Sequence, residues 1–413
     1  MPSKPGEDGF TATRWLAVIG IGEDGLDGLG AKAKALITQA SHVFGGARHL
    51  ELAGPLIEGK ARAWPTPFDS AMRDIVRLRG EPVCVLASGD PMSYGVGATL
   101  ARHVDAAEMI IIPAPSAFSL AAARLAWPLR ELETISLHGR AIELIRPLLH
   151  ANRRILALTS DGAAPTAIAR LLVENGFGAS TFHVLENLGG ASEAVYASRA
   201  DEIAERQFAP LNCLAIEVTA RPDARILPLT PGLPDALFEH DGQITKRDVR
   251  ALTLAALAPR SGELLWDIGA GSGSVAIEWM LAHNSLRAIA IEAHPERAAR
   301  IDRNARSLGV PGLQVAIGAA PSALENLPAP DVVFVGGGGS DADVMPVAIA
   351  ALKSGGRMVA NAVTIEMEAV LLDAYARLGG ELVRIAVAQA VPVGTMTGWK
   401  PAMPITQWRW VKP

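Results

Sequence analysis

Cysteine is almost missing from this chain. Its 413 residues hold two, Cys84 and Cys213, which is too few for a disulfide framework and gives no metal-ligand spacing. Both lie inside apolar runs, Pro82-Val-Cys-Val-Leu86 and Asn212-Cys-Leu-Ala-Ile216, and are expected to be small buried hydrophobes on strands. No metal is expected, and a reducing, cytoplasmic setting fits. No apolar run approaches the roughly 20 residues of a membrane-spanning helix. The arm Met1–Gly9 is polar, with Pro and Gly and no stretch of signal-peptide type, so no membrane partner is expected. An excess of basic charge is missing too. Lys and Arg number 38 against 43 Asp and Glu, a formal net charge of −5, which argues against a broad nucleic-acid-binding face. A small anionic substrate stays open, because a few convergent Arg side chains suffice to hold one.

What is present is a globular composition, 49% hydrophobic and 20% charged, on a chain long enough for two or three domains. Short β-rich runs alternate with Ala/Leu-rich helical runs, the pattern of an α/β fold. In the first half, strands are expected near Leu16–Gly20, Pro82–Ala87, Met109–Ile112, Arg154–Leu158, Thr181–Leu185 and Cys213–Val218, with helices near Gly97–His103, Ala117–Leu125 and Pro165–Asn175. Continuously apolar strands between helices indicate sheets covered on both faces. Pro222, Pro228, Pro231 and Pro234 crowd one short stretch, which reads as a linker over 220–234. The expected organisation is a flexible arm over 1–14, a first domain over 15–219, the linker, and a second domain over 235–413. The second domain opens with a helix over Thr245–Leu257. Strands then fall near Glu263–Ile268, Arg287–Ile291, Leu313–Ile317, Asp331–Val335 and Arg357–Asn361, and a closing pair near Leu382–Ala390 and Ile405–Val411 is joined only by a loop.

The segment Leu264-Leu-Trp-Asp-Ile-Gly-Ala-Gly-Ser-Gly-Ser-Val-Ala-Ile-Glu278 carries the most chemistry. An apolar strand is followed by Gly269, Gly271 and Gly273, spaced G-x-G-x-G, where a helix opens. Glycines there let the backbone turn sharply and approach a ligand. The spacing is not the G-x-G-x-x-G of a pyrophosphate loop; S-adenosylmethionine has no pyrophosphate and needs no such cradle. The next strand ends in Glu292, about 20 residues on, where this topology places an acid on the ribose hydroxyls. A third strand ends at Gly318-Ala319, the place for adenine, and a fourth ends in Val335-Gly-Gly-Gly-Gly339, leaving room for a substrate beside the methyl group. Together these read as a Rossmann-like, seven-stranded class I methyltransferase domain.

A literal G-x-G-x-x-G stands near the N-terminus, at Gly20, Gly22 and Gly25. The dinucleotide reading fails there, because the next short strand, Ser41–Gly46, ends without an acid for a ribose. Other loops follow strand ends in this half, where open α/β sheets bind ligands: Ser88-Gly-Asp-Pro91, Pro113-Ala-Pro-Ser-Ala117 and Ser136-Leu-His-Gly-Arg140. Together with Val18-Ile-Gly-Ile-Gly22, Gly45-Gly-Ala-Arg48 and Glu186-Asn-Leu-Gly189, these strings make the first half resemble the tetrapyrrole (corrin and porphyrin) methylases, in the branch that methylates meso carbon 5 of a precorrin. The second half resembles the partner enzymes that act at meso carbon 15, through Gly232-Leu-Pro-Asp235, Ile244-Thr-Lys-Arg-Asp-Val-Arg250, Trp266–Gly273 and Gly394-Thr-Met396. Joined in one chain, they are similar to the bifunctional decarboxylating methyltransferases of the aerobic cobalamin pathway.

The resemblance implies a two-lobed first domain and one S-adenosylmethionine site per domain. It implies methylation of precorrin-6B at carbons 5 and 15, with loss of the ring C acetate carboxyl (carbon 12), giving precorrin-8X. A homo-oligomer, dimer or tetramer, is a family expectation. Cofactor roles carry over to Gly89, Asp90, Ser93, Gly95, Ser116 and Ala117 in the first domain. In the second they carry over to Thr245, Gly269, Gly271, Ser272, Gly273, Glu292 and Ala319. His138 and Arg140 are the catalytic candidates, for proton handling or substrate carboxylates, or else a helix-capping or structural pair, with Arg48 similar. Lys246, Arg247 and Arg250 are candidates for propionates or else a solvated basic helix face. His294 is expected beside adenosine, and His240 and Lys400 on exposed loops. The competing reading is a methyltransferase of another substrate class with a binding or regulatory first domain. A nucleic-acid or protein amino-group methylase lacks support, since Gly336–Gly339 stands where an Asn/Asp-Pro-Pro-Tyr segment would.

Overall fold

The computed structural model describes residues 9–413 except 12, 66–68, 204 and 342, so most of the arm expected over 1–14 lies outside the described residues. The chain divides into two compact units. One comprises the residues up to Ile142 and Ala151–Ala224; the other comprises Glu143–His150 and Arg225–Pro413.

In the first unit, β1 (Leu16–Ile21), β2 (His42–Gly45), β3 (Lys60–Ala63), β4 (Val83–Ser88) and β5 (Met109–Ile112) form a parallel sheet in the order β3-β2-β4-β1-β5. The helices between and after them are α1 (Ala31–Gln39), α2 (Ala47–Ala53), α3 (Asp69–Arg77), α4 (Val96–Leu100) and α5 (Ala117–Leu125). Every residue of β1 is buried, and separate apolar clusters cover the two faces of the sheet, as continuously apolar strands require. A second sheet holds β6 (Leu132–Ser136), β7 (Arg154–Leu158), β8 (Thr181–Glu186), β9 (Ala194–Arg199) and β10 (Asn212–Glu217), in the order β6-β7-β10-β8-β9, with α6 (Ala164–Glu174) after β7. Only its β6–β7 pair is parallel. The two expected lobes are these two sheets. Helix α5 joins them, packing Phe118, Ala121 and Ala122 against Leu156, Leu185 and Cys213. Both cysteines are buried.

In the second unit, α7 (Arg247–Leu257) precedes β11 (Leu264–Ile268), α8 (Ser274–Leu281), β12 (Arg287–Glu292), α9 (Pro295–Ser307), β13 (Gln314–Ile317), β14 (Val332–Val335), α10 (Val344–Ala351), β15 (Arg357–Ala362) and α11 (Ile365–Leu378). The closing strands are β16 (Glu381–Ile385) and β19 (Ile405–Val411), with β17 (Ala388–Val393) and β18 (Met396–Pro401) between them. The seven-stranded sheet runs β13-β12-β11-β14-β15-β19-β16, parallel through β15 and antiparallel at β19 and β16. Helix caps follow local chemistry: Pro295 occupies the first turn of α9, and the Thr364 hydroxyl caps α11 by accepting from the Met367 N–H, with Glu366 and Glu368 in its first turn. Among the described residues no helix is long and apolar enough to cross a membrane.

Three sequence expectations need correction. The single strand expected near Leu382–Ala390 is broken into β16 and the start of β17, and the loop expected after it holds the rest of β17 and β18, a two-stranded antiparallel ribbon outside the main sheet. The proline-rich stretch is no free tether over its second part: Leu227 and Leu233 are buried in the second core, and the Gly232 and Leu233 N–H groups donate to Glu278 at 2.6 and 2.9 Å. Finally, Glu143–His150 belongs to the second unit. There the buried Arg146 guanidinium donates to the Ser307 and Arg225 carbonyls, at 3.1 and 2.9 Å.

Candidate active sites

The main cavity of the second unit, about 1340 Å³, opens at the C-terminal ends of β11, β12 and β14, where open α/β sheets bind ligands. Pockets that hold one drug-sized ligand run from roughly 300 to 1,000 Å³, so this cleft has room for two reactants side by side. Gly269 and Gly271 form its floor at φ +72° and +59°, a left-handed backbone that costs a non-glycine residue roughly 1–2 kcal/mol. A Cβ on Gly269 would stand 2.5 Å from the Gly337 carbonyl oxygen, so the first glycine loop and the glycines after β14 require each other. A Cβ on Gly271 would meet the Gln243 carbonyl at 3.0 Å, because the strap Gln243–Thr245 also lines the cleft.

Glu292 is buried at the end of β12. Its Oε2 accepts from the Gly271 N–H at 2.8 Å and its Oε1 from the His294 N–H at 2.9 Å. A carboxylate offers about four acceptor positions, so two bonds fix its orientation and leave capacity for a pair of hydroxyls. Asp267 lies fully buried beneath the loop. Its Oδ2 accepts from the Ala276 N–H at 3.1 Å, and its Oδ1 has no partner among the described residues. Burial, opposed by the Ala276 hydrogen bond and reinforced by the Glu292 charge, pushes its pKa up to about 7.

The strap is anchored from behind. Arg250, completely buried, donates to Glu278 at 2.5 Å and Asp235 at 3.0 Å, and also to the Thr245 and Leu233 carbonyls. Its guanidinium lies 4.8 Å from the centre of the Phe238 ring, a cation–π arrangement. Arg250 therefore cannot serve as a propionate ligand or as part of a solvated basic face. Lys246 and Arg247, its neighbours in the sequence string, are exposed and line the cleft.

In the first unit the ends of β1, β4 and β5 converge. Gly89 has φ +56°. Its carbonyl accepts from the Ala114 N–H at 3.2 Å, and a Cβ on it would meet the Pro115 carbonyl at 2.8 Å. The Asp90 carboxylate accepts from the Met92 N–H at 2.8 Å, and the Ser93 N–H donates to the Asp90 carbonyl. Gly95 precedes α4, and Ser116 caps α5, accepting from the Ser119 N–H just before Ala117. Beside this floor, His49 Nε2 lies 2.8 Å from Ser88 Oγ and 3.3 Å from an Arg48 nitrogen, and Arg48 pairs with Glu23. Burial, with the Arg48 charge adding, pushes the His49 pKa down to about 4, so its ring is neutral near pH 7. His138 sits on an exposed turn, and its Nδ1 lies 3.1 Å from the Thr159 carbonyl oxygen. That contact requires the proton on Nδ1 and leaves Nε2 as the basic nitrogen. Arg140 donates to the Ser136 carbonyl at 3.3 Å on the same turn.

Two family models divide the chain: tetrapyrrole (corrin/porphyrin) methylases over residues 16–204, and a precorrin methyltransferase domain over 236–412. A Sinorhizobium precorrin-6Y C(5,15)-methyltransferase [decarboxylating] is 62% identical over 96% of this chain and 96% of its own length. The chain belongs to that family. A Mycobacterium tuberculosis protein of the same name is 40% identical over 95% of this chain and 98% of its own. A probable cobalt-precorrin-6B C(15)-methyltransferase (decarboxylating) of Pyrobaculum calidifontis is 36% identical over 43% of this chain and 95% of its own. As a methyltransferase of this family, the chain uses S-adenosylmethionine.

Of the residues that the sequence nominates in the second unit, the cleft gathers Thr245, Gly269, Gly271, Glu292 and Ala319, with His294 beside them. Ser272 and Gly273 do not line it: the Ser272 hydroxyl is buried without a partner among the described residues, and Gly273 packs on Ile301. His240 is exposed and accepts from the Gly242 N–H. Lys400 lies on β18 rather than a loop and lines the cleft. The sequence reading misses Gln389, which nothing but the β17 pairing brings to the cleft, and Glu278, whose signal was a lone acid on the apolar helix α8. It also leaves His49 unassigned within the quoted Gly-Gly-Ala-Arg string.

Proposed function

We propose that this chain methylates precorrin-6B at meso carbons 5 and 15 and removes the ring C acetate carboxyl, giving precorrin-8X. The first unit, about residues 15–219, would act at carbon 5. The second, about 235–413, would act at carbon 15 and carry the decarboxylation. The observation that carries the reading is the cleft at the strand ends of the second unit, where the glycine floor and Glu292 share about 1340 Å³ with an apolar and basic wall.

The cleft fits S-adenosylmethionine. Glycines at φ +72° and +59° keep its floor free of side chains, Glu292 has acceptor capacity for both ribose hydroxyls, and Gly318-Ala319 offers an adenine edge. Bound there, S-adenosylmethionine supplies an electrophilic methyl group on a sulfonium. In the first unit, Gly89, Asp90, Ser93, Gly95, Ser116 and Ala117 are proposed to hold a second molecule.

The protein's own work is positioning. An electron-rich meso carbon needs little acid–base help, so alignment in a shared cavity supplies most of the acceleration. His138 is proposed to take up a proton at Nε2 in the carbon-5 reaction, with Arg140 beside it. In the second unit Val363, Ile385, Val387, Val391 and Met403 line the cleft. An acetate pressed against them loses water, which raises the energy of its carboxylate. The bond between methylene and carboxylate then breaks, carbon dioxide leaves, and the electron pair enters the protonated conjugated ring. A proton completes the new methyl group.

Equilibrium dialysis of the full chain against labelled S-adenosylmethionine tests the two-site arrangement. The expected saturation is two per chain; saturation at one removes the claim for two methylating units.

A further inference from the structure

The β17–β18 ribbon pairs with no other strand among the described residues. Its register sets Gln389 opposite Lys400, Val391 opposite Gly398, and Ala390 opposite Trp399. Opposed residues of an antiparallel pair share a face, and alternate pairs turn to the other face. Gln389, Val391 and Lys400 thus share one face, and all three line the cleft. Trp399, 77% exposed, turns the other way. Cβ atoms of opposed residues lie about 4.5–5.5 Å apart, so an ammonium and an amide N–H stand side by side over the cavity. Neither side chain has a hydrogen-bond or ion-pair partner among the described residues. The same holds for Lys246 and Arg247 on the α7 side of the cleft, whereas Arg297, also in the lining, is paired to Asp241 at 2.9 Å. Two carboxylates without a partner among the described residues line the cleft as well. Asp248 follows Arg247 on α7, and Asp341 stands beyond the glycines that follow β14; neither is on the ribbon.

We propose that Gln389 and Lys400 form a carboxylate clamp that holds a peripheral acetate or propionate of the tetrapyrrole, making the ribbon the substrate-specificity element of the second unit. The inference rests on the precorrin reading given above. Lys400 supplies the charge and the Gln389 amide a second donor, the pair that a carboxylate with free lone pairs requires. A cation held on a carboxylate stabilises it, so the clamp grips a side chain that survives the reaction and leaves the acetate to be lost against the apolar wall.

The test uses the full chain, with precorrin-6B affinity followed by quenching of protein fluorescence and S-adenosylmethionine affinity measured separately. Because Lys400 and Gln389 are exposed, Lys400→Met and Gln389→Leu should fold normally. Loss of a hydrogen bond to a charged group should weaken precorrin-6B binding and raise its KM at carbon 15 about 10- to 100-fold. Carbon-15 kcat and S-adenosylmethionine affinity should stay within about twofold, and Lys400→Arg should restore most of the loss because it keeps the charge. Unchanged precorrin-6B affinity in a variant of an active enzyme overturns the clamp and leaves the functional reading standing. Wild-type chain that binds precorrin-6B through Lys400 but transfers no methyl group overturns the functional reading and keeps the clamp. Wild-type chain that does not bind it overturns both.

Discussion

Removing the Arg250 side chain separates a structural arginine from a substrate-binding one. Arg250→Ala deletes a fully buried guanidinium that holds Glu278, Asp235 and the carbonyls of Thr245 and Leu233. The Glu278 carboxylate, itself only 2% exposed, keeps the two backbone N–H donors of Gly232 and Leu233 but loses its cation. Breaking a buried pair by deleting one partner costs about 3–5 kcal/mol. For a unit of this size 1 kcal/mol is worth about 2–4 °C in melting temperature, so the transition of the second unit should fall by roughly 6–20 °C. Differential scanning calorimetry of the full chain reads this directly, with the first unit's transition as internal reference. Adding Glu278→Leu to Arg250→Met should not restore the wild-type transition, because Glu278 also accepts from the Gly232 and Leu233 N–H groups, and each buried donor left unpaired costs about 1–3 kcal/mol. The strap Gln243–Thr245 should also slacken, weakening S-adenosylmethionine binding in the second unit. An Arg250→Ala protein with unchanged melting and a selective loss of precorrin affinity would refute the reasoning and return Arg250 to the substrate.

Asp267→Asn should change the pH dependence of stability. The wild-type carboxyl has a folded-state pKa of about 7, above its unfolded value of roughly 4, so the native state holds the extra proton and wild-type stability falls as pH rises between these values. The variant's urea midpoint should therefore gain on wild type from about pH 4 to 7 and level off outside that window; a constant offset across the range contradicts the burial argument. Gly271→Val places a branched side chain at φ +59° against the Gln243 carbonyl and should lower S-adenosylmethionine stoichiometry from two per chain to one while carbon-5 methylation persists; retained carbon-15 activity counts against the site. His138→Ala should cut the carbon-5 rate by about 10²–10⁴ if Nε2 handles a proton and leave carbon-15 methylation intact; an unchanged carbon-5 rate assigns His138 to the turn alone.

What the sequence made legible follows burial. Strands buried on both faces, such as Leu16–Ile21 and Val332–Val335, stand out as continuous apolar runs, and the glycine loop and Glu292, both legible in the sequence, line one cleft. Exposed strands were harder. Lys60–Ala63 is mostly exposed and Ala194–Arg199 has no buried residue, and beyond Ala390 the ribbon reads as loop because Pro392, Gly394 and Gly398 interrupt it. The segment Glu143–His150 is mostly 3₁₀ helix (Ile142–Leu148) with an internal Pro147, so no periodicity announces that it belongs to the second unit. Arg250 reads with the basic pair Lys246-Arg247 in the sequence, but it heads the buried stripe Arg250, Thr253, Leu254 and Leu257 of α7, while Lys246 and Arg247 stand exposed at the helix start. The acid it needed, Glu278, was visible as the lone charge in Ser274–Leu281.

The most direct test of the central claim is mass spectrometry of the product formed when the full chain is incubated with precorrin-6B and S-adenosylmethionine. The account predicts a product with two added methyl groups and one lost carboxyl group. A product that gains only one methyl group, or that keeps every carboxyl, contradicts it.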